Sequence, residues 1–141
     1  MSVILASTRK EFVGCYPVVA QLRPHLSESE FLKRVEAQTQ EGYRIAFVEH
    51  EGRAVCVAGF RILHSLAWGR FLYVDDLVTD ERERSKGFGQ ELMAWLIQHA
   101  KDAGCDEFHL DSGVQRFGAH RFYLATGMDI TCHHFAMKLK A

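Results

Sequence analysis

No apolar stretch in this chain approaches the 18 or so residues needed to cross a bilayer. Its first ten residues lack the apolar core of a secretion signal, so a cytoplasmic location is the expectation. Neither sign of charge is in excess: 17 basic side chains face 18 acidic ones. Bulk charge therefore points to neither nucleic acid nor a membrane as partner. The four cysteines, Cys15, Cys56, Cys105 and Cys132, form no Cys-x-x-Cys pair, which argues against a zinc site or a disulfide framework. Cys56, inside a strand-like run, reads as a small core residue. The one pair of adjacent histidines, His133-His134, would point to opposite faces of a strand, so no metal is expected. Repeats, low-complexity tracts and linkers are missing as well. These absences leave a chain of 141 residues expected to form a single domain over residues 1–141 around one core.

Positive signals begin near the N-terminus. Val3 to Ala6 reads as a short strand. Thr8-Arg9-Lys10-Glu11 has the Thr-x-x-Glu form of a capping box, and the helix it opens is expected to kink or break near Pro17. Ser27-Glu28-Ser29-Glu30, flanked by Leu26 and Phe31, opens a second helix that should run to about Gln40 and stop at Gly42. Strands are predicted over Arg44–Glu49, Ala54–Leu63 and a run from Gly69 through Val78, joined by short connections as an antiparallel meander. Phe88, Leu92, Trp95, Leu96, Ala100 and Ala103 recur at helical spacing and define a third helix ending at Gly104. Glu107–Asp111 is a further strand, completing a βαβ unit whose two strands should be parallel. Gln115–Thr126 reads as a fourth helix closed by Gly127, and His134–Leu139 as a last strand. The fold class is mixed α/β, in the order β-α-α-β-β-β-α-β-α-β.

The most informative segment is Arg84-Ser85-Lys86-Gly87-Phe88-Gly89, between the strand ending Leu77-Val78-Thr79 and the third helix. Main-chain N–H groups at a helix start are unpaired, and the helix dipole favours an anion there. Gly87 and Gly89 have no Cβ to hold a ligand off. A P-loop is excluded because Lys86 precedes its glycine, and a Rossmann fingerprint because Leu92 stands where a third glycine is required. The cluster Arg82, Arg84 and Lys86, interleaved with Glu81 and Glu83, otherwise reads as solvated surface rather than a nucleic-acid site.

Asp76-Leu77 followed by Arg84-x-x-Gly87-x-Gly89 and Leu92 resembles the Arg/Gln-x-x-Gly-x-Gly/Ala acetyl-CoA motif of the GNAT N-acetyltransferases. Ala119 to Met128, with Phe122-Tyr123 and Gly127, is similar to the family's Ala-x-x-Phe/Leu-Tyr-x-x-x-Gly-Phe helix. Three positions depart from the pattern: Ser85 for a frequent Gly, Arg116 for a frequent Asn, and Met128 for the usual Phe. The resemblance implies a GNAT-like sheet flanked by about four helices, and transfer of the acetyl group of acetyl-CoA to a primary amine. The amine would be a small molecule, a peptide lysine or an N-terminus.

Under that resemblance the N–H groups of Ser85, Lys86, Gly87, Phe88, Gly89 and Gln90, with Arg84, would hold the pyrophosphate. Leu77, Val78 and Thr79 would pair with the pantetheine arm like an added strand, with Val78 N–H polarising the thioester. That arrangement implies a β-bulge. An amine of pKa about 10.4 is almost wholly protonated at neutral pH, so a base is useful. Asp75 and Asp76 are the candidates, facing opposite ways unless a bulge intervenes. Asp75 matches the base of the polyamine-acetylating branch, Tyr73-Val74-Asp75-Asp76 standing for Tyr-x-Glu-Asp. Tyr123 would be the general acid for the leaving thiolate. A non-catalytic acyl-CoA sensor on the same scaffold is the competing reading, and homodimer formation is open.

Overall fold

The structure is a computed structural model and describes residues 3–141. Contacts divide the chain into two compact units, one up to His109 and one from Leu110 to Ala141.

The first unit is built on a sheet of order β1-β2-β3-β4-β5: β1 (Val3–Leu5), β2 (Arg44–His50), β3 (Arg53–Ser65), β4 (Gly69–Thr79) and β5 (Glu107–Leu110). Strands β1 to β4 pair antiparallel, so the expected meander is present. The β2–β3 turn is two residues long, and both Glu51 and Gly52 have positive φ. That is the backbone a tight hairpin needs, because it matches the twist of the flanking strands.

Helices α1 (Arg9–Leu22) and α2 (Glu28–Thr39) start at complete capping boxes, Thr8 with Glu11 and Ser27 with Glu30. Their buried residues Cys15, Val18, Val19, Phe31, Leu32 and Val35 close over one sheet face with Ile45, Phe47, Val57 and Val78. Of the expected kink or break near Pro17, a break does not occur: α1 runs on to Leu22. The ring removes one N–H and therefore one rung, but Val18 and Val19 beyond it are buried and hold the last turn in the core. Helix α3 (Phe88–Asp102) covers the opposite face through Leu92, Met93, Leu96 and Ala100, with Phe60 edge-on to Trp95. Met93 is 1 % exposed and belongs to the buried face that sequence periodicity drew without it.

Strand β5 is short and is anchored at one end of β4. Asp106, just before it, donates its N–H to Arg70 O, and Arg70 N–H returns a bond to the Asp106 carboxylate. Four residues from that level reach no further than the middle of β4. The main chain of Leu77, Val78 and Thr79 pairs with β3 on one side, while β5 has ended before reaching them on the other.

The second unit contains α4 (Phe117–Thr126), which ends at Gly127 with φ +102°. No helix or strand follows, so the last strand expected over His134–Leu139 is not formed. The residues that should have made its apolar side, Phe135, Met137 and Leu139, are exposed. Alternation supplies a face, but a strand also needs a neighbour for its N–H and C=O groups. Among the described residues, no helix is long and apolar enough to cross a membrane.

Candidate functional site

Two of the long helices in the first unit cap themselves; α3 does not. Its N-cap is Gly87, in the left-handed conformation at φ +87°, and makes no side-chain capping bond. The N–H groups of Phe88, Gly89 and Gln90 therefore begin the helix without the serine or threonine oxygen that serves α1 and α2. Ser85, two residues earlier, also has positive φ at +67°. A non-glycine residue in that region is strained, and such strain concentrates where a loop shape is functional. The turn holds its amides at the mouth of α3, next to the end of β4.

The loop is tied down from three directions. Asp80, 1 % exposed, accepts from Arg53 Nη1 at 3.0 Å, Arg82 Nη2 at 2.9 Å, Arg82 N–H at 3.1 Å and Gln21 Nε2 at 3.3 Å. The Arg82 guanidinium beside it, with the other donors, holds the Asp80 carboxyl well below the usual carboxylate range. Glu83, also buried, binds Lys86 Nζ at 2.7 Å and the second arm of Arg53; Lys86 is the main cause of its lowered pKa. The cluster is mostly solvent-facing, as its sequence suggested: Glu81, Arg82, Arg84 and Lys86 are exposed and Glu83 alone is buried. Acids at positions 80 and 83 face inward and bind cations from β3 and from the loop itself. Lys86 is committed to Glu83, which makes it a brace for the turn; Arg84 is exposed at the turn.

The second feature is a bulge in β4. Gly59 of β3 pairs with Asp76 and Phe60 with Val74, so Asp75 is an extra residue with no partner. A one-residue bulge breaks alternation, and Asp75 and Asp76 both turn to the face covered by α1 and α2. Each has its own arginine. Arg61 grips Asp75 with Nε at 2.9 Å and Nη2 at 2.7 Å, a two-pronged bond that raises the guanidinium pKa. Arg23, at the end of α1, reaches Asp76 Oδ1 with Nε at 3.1 Å and the Asp75 carbonyl with Nη2 at 3.2 Å. Tyr43 Oη donates to Asp76 Oδ2 at 2.7 Å. Burial and the neighbouring Asp76 push the Tyr43 phenol well above its ordinary pKa, so it stays a donor. Gly59 lies directly beneath this phenol.

This geometry, amides presented at a helix mouth beyond a bulged strand, has known counterparts. The model of the acetyltransferase (GNAT) family matches residues 5–128. The chain belongs to that family. An N-acetyltransferase from Bacillus subtilis, YhdJ, itself uncharacterised, is 37% identical over 120 residues, covering 83% of each chain. The aminoalkylphosphonate N-acetyltransferase of Salmonella typhimurium is 35% identical over 54 residues, which is 38% of this chain and 35% of that one. Among solved structures, the aminoglycoside N-acetyltransferase AAC(6')-Iy in complex with CoA superposes with a TM-score of 0.85 at 15% identity, over 99% of this chain and 95% of that one.

Of the GNAT positions singled out from sequence, Leu77, Val78 and Thr79 close β4. Arg84, Ser85 and Lys86 form the turn, Gly87 is the cap, and Phe88, Gly89 and Gln90 make the first turn of α3. Asp75 and Asp76 come together at the bulge. Tyr123 lies on α4, in the second unit, where burial raises its phenol pKa. Arg23, Tyr43, Arg53, Arg61, Asp80 and Glu83 were not anticipated. Their signal is pairing across the sheet, which no local window contains. Among the described residues, no group of three His, Cys, Asp or Glu side chains gathers as metal ligands do.

Proposed function

We propose that this GNAT protein transfers the acetyl group of acetyl-CoA directly to a primary amine. The observation that carries this reading is the uncapped mouth of α3, set against the stretch of β4 that β5 does not reach. In this reading the amides of residues 85–90 bind the pyrophosphate. The pantetheine arm pairs with the open side of the Leu77, Val78 and Thr79 main chain as an added strand. Asp80 N–H bonds Val55 O and Val78 stands opposite Val57, so Val78 N–H faces β3 and alternation leaves Leu77 N–H to steady the developing oxyanion. The amine nitrogen attacks the thioester carbonyl carbon; the C–N bond forms and the C–S bond breaks. One nitrogen proton passes to Asp75 or Asp76, through water because each carboxylate is held by an arginine. The thiolate takes its proton from Tyr123 Oη; of the three ammonium protons one has gone to the aspartate, a second leaves the tetrahedral adduct through solvent and restores the phenol, and the third stays on the amide nitrogen.

Transfer without a covalent intermediate on the protein agrees with the state of the buried thiols. Burial pushes Cys15 up to about 12 and Cys56, which pairs across β3–β4 with Thr79, up to about 11. At neutral pH neither supplies the thiolate that nucleophilic catalysis requires. Two relatives named above, for an aminoglycoside and for aminoalkylphosphonates, favour a small-molecule acceptor over a peptide.

The test is calorimetric titration of CoA into the protein, followed by release of free thiol from acetyl-CoA with a panel of amines. Binding and turnover are expected, with Tyr123→Phe and Asp75→Asn lowering kcat by about 10- to 1,000-fold. Binding with no turnover on any amine would favour an acyl-CoA sensor. Absence of CoA binding would end both readings.

A further inference from the structure

We infer that the acceptor is a small zwitterion: a primary amine that also carries an anionic group, with the anion seated on Arg23 and Arg61 and the ammonium received by Asp75 and Asp76. This rests on the acetyl-transfer reading and adds the charge pattern of its second substrate.

Four charged side chains meet at the β4 bulge, two of each sign, so the cluster is neutral as a whole. Their exposure to solvent is informative. The Arg23 and Arg61 side chains are 41% and 31% exposed, while their partners Asp76 and Asp75 are 19% and 18% exposed. The guanidiniums thus present a larger share of their surface to an incoming molecule than the carboxylates they grip. A diamine would approach two like charges, and a simple monoamine would bring no partner for the guanidiniums. An amine with an attached anion meets a partner for each charge: its anion takes up guanidinium N–H groups, its ammonium faces the carboxylates through water, and no charge is stranded.

The guanidiniums retain capacity for this. Arg61 uses Nε and Nη2 on Asp75, and Arg23 uses Nε and Nη2 on Asp76 and the Asp75 carbonyl. The Nη1 group of each, with two N–H donors, takes no part in these bonds. Arg61 is also steadied over the ring of Tyr73, with Cζ 5.9 Å from its centroid. Tyr43 fixes the Asp76 carboxylate. A planar, prefixed fork of N–H donors suits carboxylate, phosphonate and phosphate groups better than a lysine would.

The experiment compares initial rates with saturating acetyl-CoA for amines of matched length: ethylamine, 1,3-diaminopropane, β-alanine and 2-aminoethylphosphonate. The last two should exceed ethylamine in kcat/KM by at least about 30-fold, and the diamine should not. The β-alanine and phosphonate arms show which anion is preferred. Replacing Arg61→Gln or Arg23→Gln should collapse the zwitterion-to-ethylamine ratio toward one, acting mainly through KM, and Arg61→Lys should restore part of it. Calorimetry of each zwitterion into the wild-type CoA complex reads the same preference should a variant fail to fold. Preference for the diamine, equal rates with ethylamine, or a ratio unmoved in both glutamine variants would overturn the zwitterion assignment while leaving acetyl transfer standing. No CoA binding and no turnover would remove both.

Discussion

Gly59→Ala is expected to be among the most damaging single-methyl additions in the protein, and the reason lies wholly in the site. At an ordinary strand position, alanine is no worse than glycine and usually better, because glycine loses more freedom on folding. Here an added Cβ would overlap Tyr43 Oη and Cζ and stand 2.8 Å from Cε1. The ring would have to retreat by about 1 Å or more in an interior with little slack. Tyr43 is 5% exposed, so there is no open side to retreat to. Overpacking of this kind costs about 1–3 kcal/mol. Moving the phenol also breaks its bond to the Asp76 carboxylate, a further loss of about 1.5–3 kcal/mol. A combined penalty of about 3 kcal/mol would lower a urea midpoint by about 1.5 M at a slope of about 2 kcal/mol/M. The decisive comparison is a double-mutant cycle: in a Tyr43→Ala background the same Gly59→Ala change should cost within about 0.5 kcal/mol of zero. Equal penalties in both backgrounds, or a wild-type penalty below about 0.5 kcal/mol, would refute the account of why glycine stands at 59.

Other outcomes follow from the loop. Asp80→Asn should destabilise by about 2 kcal/mol at pH 7, since the buried carboxylate loses its ionic partners. Because the folded-state pKa of Asp80 is depressed, its contribution is present above the unfolded value of about 3.9 and lost as pH falls below it. The difference between wild type and Asp80→Asn in thermal unfolding should thus narrow by about 1 kcal/mol between pH 5 and pH 3; a constant difference would sink the claim. Gly87→Ala meets no atom within 4 Å but must hold φ +87°, so strain of about 1–2 kcal/mol should weaken CoA binding by about tenfold. Gly104→Ala, with φ +75° at the far end of α3, should leave CoA affinity unchanged and serves as the control.

What could be read in advance depended on the range of each interaction. The capping boxes at Thr8 and Ser27 close within three residues, and the helix stops at Gly104 and Gly127 depend on single φ angles, so both were visible in the chain. The glycine turn at the start of α3 was visible for the same reason. Pro17 does not break the helix because its local penalty is outweighed by burial of Val18 and Val19 beyond it. The segment His134–Leu139 misled, since its pattern is right but pattern does not create a pairing edge. Asp75 and Asp76 were identified without their orientation, which depends on β3–β4 register. Their partners Arg23, Tyr43 and Arg61 lie 14 to 53 positions away, and Arg53 is separated from Asp80 and Glu83 by 27 and 30. Nothing short of the folded sheet brings those together.

The bulge at Asp75 also bears on how such a site can change. Its ladder is regular on both sides, with Val74 opposite Phe60 and Asp76 opposite Gly59. The intervening residue could be dropped, or exchanged for another, without re-registering the strand or reassigning a single core position. The carboxylate proposed here as the base thus sits on a removable monomer of the chain, and under that proposal selection could rewrite the acceptor site one residue at a time while the scaffold stays still.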